Sequence, residues 1–379
     1  MILSINEKIL LEGGEKAIVK KWLGAGAQGE VYLVSVGTKD YALKWYFKQP
    51  SPAFIQNLRT NIHKGSPSEE FLWPLKLAEQ SSKGIGYLMD LRPERFHSFV
   101  SFLNGKVRFQ SASALSTWCL DLANGFKILH SRGYSYQDLN DGSFFLDPIT
   151  GEALICDNDN VAPFGANLGI MGKVKYMAPE VLRGEVLPDT HTDRFSLAVI
   201  LFMALTYGHP FQGEYLRNYP FIDEVAEMEL YGTKPLFIFD PKNTSNRPIR
   251  GYHNVVLNYW PQTPSYLQQE FIKTFTEGLL DRENGRTTEI RWVRLFQRYR
   301  DELVVCPHCQ FEYPNQTFPQ STCPKCKKQH PLLGKLTIHN NVIYLAKNKA
   351  LYATHLDKTS SEYNRAVGKV IQKDRKSVV

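Results

Sequence analysis

The chain has 379 residues, of which 43% are hydrophobic, 12% aromatic and 22% charged. That length exceeds the roughly 250–300 residues at which one hydrophobic core stops growing, so more than one unit is expected. The composition excludes wholesale disorder, collagen-like repeats and a disulfide scaffold. The net charge of +7 is uneven: beyond Cys326, eleven Lys and Arg face only Asp357, Glu362 and Asp374. A solvated tail fits this pattern, and so does a tail that binds nucleic acid or an acidic partner surface.

The N-terminal stretch Met1–Gly14 carries Glu7, Lys8 and Glu12 in place of a basic segment before an apolar run. The longest apolar stretch, Phe195–Leu205, falls well short of the roughly 20 residues needed to cross a bilayer. With Cys119 and Cys156 isolated among apolar neighbours, a reducing, cytoplasmic setting without membrane attachment is expected.

From Ile18 to Phe47 the residues alternate as in twisted antiparallel strands. Leu115, Trp118, Leu122, Phe126 and Leu129 then recur at helical spacing, and Phe195–Leu205 is apolar all round, as a buried helix would be. Gln212–Pro264, rich in Tyr, Pro, Asn and Gly, reads as loops with short helices, and helical pattern resumes at Tyr266–Leu280 and Thr288–Tyr299. Strand-like runs follow at Lys335–Ile338, Val342–Ala346 and Ala350–His355.

Between the first two strands, Gly24, Gly26 and Gly29 fit G-x-G-x-x-G-x-V with Val31, a pattern in which missing side chains let backbone N–H groups approach phosphate oxygens. Plain hairpins and dinucleotide folds use such glycines too, but a dinucleotide site needs a helix directly after them, and Glu30–Val36 reads as a strand. In the next strand Lys44 follows Ala42-Leu43, a costly place for an ammonium unless it meets an anion.

Later motifs arrive in an order that resembles the protein kinase superfamily across Ile18–Phe296. Tyr136-Gln137-Asp138-Leu139 stands where that family has its catalytic loop, Asp157-Asn158-Asp159 where it has D-F-G, and Ala178-Pro179-Glu180 matches A-P-E. Asp193 opens the buried helix, and Arg286 matches the arginine that pairs with the A-P-E glutamate. The resemblance implies a two-lobed α+β fold and transfer of phosphate from ATP to serine or threonine of a protein, or of the chain itself. It implies Lys44 on phosphates, Asp157 on Mg²⁺ or Mn²⁺ and Asp138 facing the acceptor hydroxyl. It sets Val31 and Ala42 above the adenine, Phe145 below it, Met89 as gatekeeper and Asp90-Leu91 as hinge. Phosphoryl transfer needs little more than positioning and charge neutralisation, which a lysine and two carboxylates supply.

Departures from the pattern leave a nucleotide-binding pseudokinase scaffold open. Ser143 replaces the second metal ligand, Asn140 the loop lysine and Asp159 the glycine of D-F-G, where it could act as a substitute metal ligand or only add repulsion. No Asp or Glu lies between Trp45 and Ser68, so the helix expected near Ala53–His63 lacks the glutamate that should hold Lys44, and Gln56 or Asn57 could offer a neutral carbonyl instead. Lys173 could return the charge lost at Asn140 or simply be solvated. The segment Asn158–Pro179 has no Ser or Thr, and Gln137 replaces the arginine that would receive a phosphate there, so activity without phosphorylation of this segment is expected.

Cys306-Pro-His-Cys309 and Cys323-Pro-Lys-Cys326 have the spacing of two knuckles holding structural Zn²⁺. Redox pairs would call for a βαβ setting, which is missing here. The expected organisation is a kinase-like domain over 1–304 (N-lobe about 15–90, C-lobe about 91–304), a zinc ribbon over 305–330 and a basic β-rich tail over 331–379. A nucleic-acid-binding module remains a third reading. The strings Phe237–Pro241, Asn246-Arg247-Pro248 and Gly278–Asp281 resemble a bacterial branch of these kinases found in tellurite-resistance-type phosphorylation triads. That implies a von Willebrand A-type protein and a cognate phosphatase as partners.

Overall fold

A computed structural model describes residues 1–166, 168–169, 172–315, 322–330, 332, 334–339, 341–346, 348–373 and 376–378. Strands β1 (Lys8–Leu10), β2 (Lys16–Ala25), β3 (Gly29–Val36), β4 (Lys39–Tyr46), β5 (Pro74–Leu77) and β6 (Gly86–Asp90) form one antiparallel sheet in the order β1-β2-β3-β4-β6-β5. Its alternation gives two apolar faces. Tyr32, Val34, Leu43, Trp45 and Leu88 pack outward against Leu3, Ile9 and Leu11, while Ala42, Tyr46, Tyr87 and Met89 face helix α1 (Pro52–Lys64) and the cleft below. The chain before residue 15, left outside the expected N-lobe, thus covers this sheet. Three residues of β1 were too short a run to show a period.

Helix α1 starts where the Ser51 side chain accepts the Phe54 N–H with Pro52 in the first turn, and stops at Gly65, whose φ of 75° an L side chain resists. Below the cleft follow β7 (His97–Ser98), α2 (Phe99–Leu103), α3 (Ala112–Ser131), β8 (Tyr134–Ser135), β9 (Phe144–Leu146), β10 (Ala153–Ile155), β11 (Ala162–Pro163), α4 (Pro179–Leu182) and α5 (Thr190–Thr206). Asp189 caps α5 by accepting the His191 and Thr192 N–H groups, both at 2.9 Å. As its all-round apolarity demands, nearly the whole of α5 is buried.

The lower lobe continues through α6 (Glu224–Glu227), α7 (Asn254–Tyr259), α8 (Ser265–Phe275), α9 (Glu277–Leu280) and α10 (Glu289–Glu302). Trp118, Phe126, Phe202, Phe271 and Trp292 form the centre of its core. The two lobes are the α+β architecture expected from the sequence, a curled sheet above a helical body. Tyr266–Leu280 is broken at Thr276, and Gln212–Pro264 contains short helices between loops.

Beyond α10, β12 (Leu303–Val305) pairs with β13 (Glu312–Pro314), followed by hairpin β14 (Lys335–Ile338) and β15 (Asn341–Tyr344), then β16 (Ala350–Tyr352). The expected strand to His355 ends at Tyr352, because residues 353–356 turn into a short helix in which His355 meets Asp301 at 2.9 Å. The tail is tied to the helical body: Lys349 Nζ donates to the Asp301 and Leu303 carbonyls, Arg300 to Asn364 and Tyr363, and Asn364 to Asp121. Lys347, Asp374 and Arg375 lie outside the described residues. Among the described residues no helix is long and apolar enough to cross a membrane.

Candidate active site

The turn between β2 and β3 closes through Gly26 N–H on the Gly29 carbonyl at 2.8 Å. A Cβ at Gly29 would sit 2.2 Å from the Trp45 carbonyl, so only glycine fits there, whereas one at Gly24 or Gly26 would touch nothing. From this turn Gln28 reaches down, accepting from Lys44 at 3.2 Å and donating to Asn160 at 3.3 Å.

Lys44 lies opposite Val31 on β3 and Tyr87 on β6, with Ala42 opposite Met89, so Val31, Ala42, Lys44, Tyr87 and Met89 share the cleft face. Asp90, at the end of β6, pairs with Lys39 at 3.0 Å, and Leu91 follows it at the surface. On the opposite wall, the Phe145 ring of β9 lies under the Arg92 guanidinium at 4.4 Å, a stack that the sequence pattern did not signal.

The buried Lys44 ammonium is 3.3 Å from Asp157 and 2.8 Å and 3.0 Å from the two oxygens of Asp159. Burial alone would lower its pKa, but Asp159, and then Asp157, hold it above the ordinary value. Here the structure differs from the sequence reading twice. Lys44 takes no carbonyl from Gln56 or Asn57: Asn57 and Asn61 both donate to the Val161 carbonyl at 2.8 Å. Asp159, expected beside the metal, is fully buried and turned onto Lys44, with Tyr46 and Tyr87 hydroxyls donating to it at 2.7 Å and 3.2 Å. The cause is the turn itself. Asp157 holds φ 54° and ψ 41°, which sends its own side chain toward solvent and the next two inward. Asn158, in the aromatic place of D-F-G, is buried and donates to the Leu72 and Ile155 carbonyls at 2.8 Å each.

Asp193 ties the Tyr136–Leu139 loop to α5 by accepting the Tyr136 N–H at 2.6 Å and the Gln137 N–H at 3.2 Å. His130 bridges it to Glu289, at 3.0 Å and 2.7 Å. Burial opposes charge on His130, but these two carboxylates outweigh it and raise the imidazole to about 9. The Tyr136 hydroxyl donates to the Cys156 carbonyl.

Asp138 projects from this loop with its carboxyl pushed up to about 6, chiefly by desolvation and further by Asp157. The Asn140 amide at 2.9 Å and the Lys173 backbone N–H oppose that rise. Ser143 is fully buried, its hydroxyl 3.5 Å from the Asp138 carbonyl. Lys173 is half exposed and pairs with Asp141 at 2.8 Å. Gln137 donates to the Ala166 carbonyl at 2.7 Å, so a neutral amide holds the segment that a phosphate would otherwise order. Beneath it, Arg286 meets both oxygens of Glu180 at 2.7 Å and 2.8 Å, fully buried.

Away from the cleft, the sulfurs of Cys306, Cys309, Cys323 and Cys326 lie within 4.8 Å of one another. Cys306–Cys326 and Cys309–Cys323 are 3.7 Å and 3.6 Å apart, close to the ~3.8 Å that tetrahedral Zn–S bonds require. Both knuckles repeat one turn: Gln310 and Lys327, with φ of 59° and 61°, donate to the Cys306 and Cys323 carbonyls at 2.9 Å. Four reduced sulfurs so disposed fit a metal ion.

The model of the protein kinase domain matches residues 18–283. Serine/threonine-protein kinase sck2 of Schizosaccharomyces pombe is 27% identical over 224 residues, covering 53% of this chain and 32% of that protein. Beta-adrenergic receptor kinase 1 of Didelphis virginiana is 32% identical over 55% of this chain and 31% of its own length. Human ribosomal protein S6 kinase alpha-4 is 28% identical over 56% and 29%. The chain thus spans about a third of the length of these relatives.

Proposed function

Because the chain belongs to the protein kinase domain family, we propose that it transfers the γ-phosphoryl group of ATP to serine or threonine hydroxyls of a protein, itself included. The observation that carries this reading is the convergence of Lys44, Asp157 and Asp138 on one cleft beneath the glycine turn. Lys44 neutralises phosphate oxygens, and the bare Cα positions of Gly24 and Gly26 leave open space in which phosphates can approach the turn. Val31, Ala42 and Met89 form the apolar roof for the adenine, with Asp90-Leu91 as hinge and Phe145 as floor. Asp138, ionised above about pH 6, orients the acceptor hydroxyl and takes its proton.

Mg²⁺ or Mn²⁺ bound at Asp157, with Ser143 alongside, would neutralise charge on the transferring phosphate. The half-exposed Asp157 carboxylate suits a hard cation, whereas Asp159 does not, its oxygens being taken. Against the pseudokinase reading stand the carboxylate partner of Lys44 and the Asn140 amide on Asp138.

Zn²⁺ held by the four cysteines would be structural, with every coordination position filled by thiolate. The reduced cysteines suit a cytoplasmic setting. Part of the tail's positive charge is spent internally, Lys349 on backbone carbonyls and Arg365 on Glu362, which weighs against a nucleic-acid module. The bacterial triad resemblance makes a von Willebrand A-type protein the substrate to test first and a cognate phosphatase the opposing partner.

The test is transfer of labelled γ-phosphate in Mg²⁺ or Mn²⁺, followed by identification of the modified residue. Phosphoserine or phosphothreonine that disappears with Asp138→Asn supports the reading. Transfer surviving both Asp138→Asn and Asp157→Asn would overturn it.

A further inference from the structure

The carboxylate that holds Lys44 is absent from α1 and present on the turn after Asp157. We propose that Asp159 is the positioning residue for Lys44, replacing the missing helix glutamate, so that the phosphate-binding lysine and the metal-binding carboxylate are set by one turn. The inference rests on the phosphotransferase reading.

Three features carry it. First, both oxygens of Asp159 are committed: one accepts Lys44 at 2.8 Å and Tyr46 at 2.7 Å, the other Lys44 at 3.0 Å and Tyr87 at 3.2 Å. A cation placed there would have to strip away a buried ammonium and two buried hydroxyls. Second, the donors are built into the sheet. Tyr87 is opposite Lys44 in the β4–β6 register, and Tyr46 lies two residues beyond it on β4, so all three side chains emerge on the cleft face. Third, α1 is bound elsewhere. Asn57 and Asn61 attach it to the Val161 carbonyl through neutral amides.

The consequence is mechanical. A lysine held by a helix carboxylate is released when that helix moves. Here Lys44 is held from the Asp157 turn, and α1 is joined to the same segment through the Asn57 and Asn61 amides on Val161.

The test uses the full chain, with rates measured against ATP and against Mg²⁺ for Asp159→Asn, Tyr46→Phe and Asp159→Asn combined with Asn57→Glu. Loss of a charge-assisted hydrogen bond to a buried cation should lower kcat/KM for ATP in Asp159→Asn by roughly ten- to hundredfold. The Mg²⁺ concentration for half-maximal rate should stay the same. Asn57→Glu, which returns a carboxylate to α1, should recover part of the loss, and Tyr46→Phe should weaken kcat/KM a few-fold. Native kcat/KM in Asp159→Asn, or a raised Mg²⁺ requirement without rescue, would overturn the proposal. Thermal melts identify any variant that misfolds, and Tyr46→Phe, which keeps the carboxylate in place, then decides: native kcat/KM in it counts against the proposal. Should the native chain transfer nothing, the phosphotransferase reading fails by itself. The ATP Kd of the same variants then decides on Asp159: weaker binding regained with Asn57→Glu upholds it, and equal binding refutes it.

Discussion

Acid should switch off phosphoryl transfer through Asp138, whose midpoint burial raises and the Asn140 side chain holds down. The Asp138 carboxyl is pushed up to about 6 because it is desolvated and faces Asp157, against the pull of the Asn140 amide at 2.9 Å. Only the ionised form can take a hydroxyl proton, so kcat/KM should be level at neutral pH and fall about tenfold per unit below about pH 6. At pH 5 the native chain should keep roughly a tenth of its plateau rate. Asn140→Ala removes one hydrogen bond to a charged group, about 1.5 kcal/mol, which corresponds to about one pKa unit. The acidic limb should therefore shift upward by about one unit, while Asn140→Lys, which brings a cation to the carboxylate, should shift it downward. The assay is the initial rate at low ATP in buffers of constant ionic strength. An acidic limb that stays in place in both variants would refute the assignment of Asp138 as the titrating base.

Stability should fall at alkaline pH, because the folded value of His130, about 9, lies above its ordinary 6.5. The charged clamp between Asp193 and Glu289 is fully present below about pH 6.5 and is lost as pH rises through about 9. That amounts to on the order of 3 kcal/mol, read by denaturant unfolding, and His130→Gln should flatten this slope. Chelation of the proposed Zn²⁺ should raise hydrogen exchange across residues 305–315 and 322–330 while α3 and α5 stay protected; one metal per chain retained after all four cysteines become serine would contradict the assignment. Phosphatase treatment should leave activity unchanged, since Gln137 already holds the segment at Ala166; a phosphate on Tyr176 whose removal abolishes transfer would show otherwise.

Features that depend on local spacing were legible in the sequence. The glycine turn, the all-apolar α5 and the paired Cys knuckles each follow from residues a few positions apart. The partners of Lys44 were not, because Asp159 meets it across 115 residues and points inward only through the left-handed turn at Asp157. A trace was present: Tyr46, two residues after Lys44 on a strand, had to share its face and bring a hydroxyl to whatever the ammonium met. Anchoring of the tail left no trace, since the Asn364–Asp121 contact joins segments 243 residues apart. Charge counting placed Lys349 with the solvated lysines, although its ammonium is bound to backbone carbonyls.

Binding and transfer measured on the same samples test the central claim most directly. ATP affinity by calorimetry and phosphate incorporation by intact mass would be compared for the native chain, Lys44→Ala, Asp138→Asn and Asp157→Asn. The account predicts that Asp138→Asn keeps ATP affinity within a few-fold but incorporates no phosphate, while Lys44→Ala and Asp157→Asn lose both. Tight ATP binding by the native chain with no phosphate incorporated into itself or any protein acceptor would contradict it.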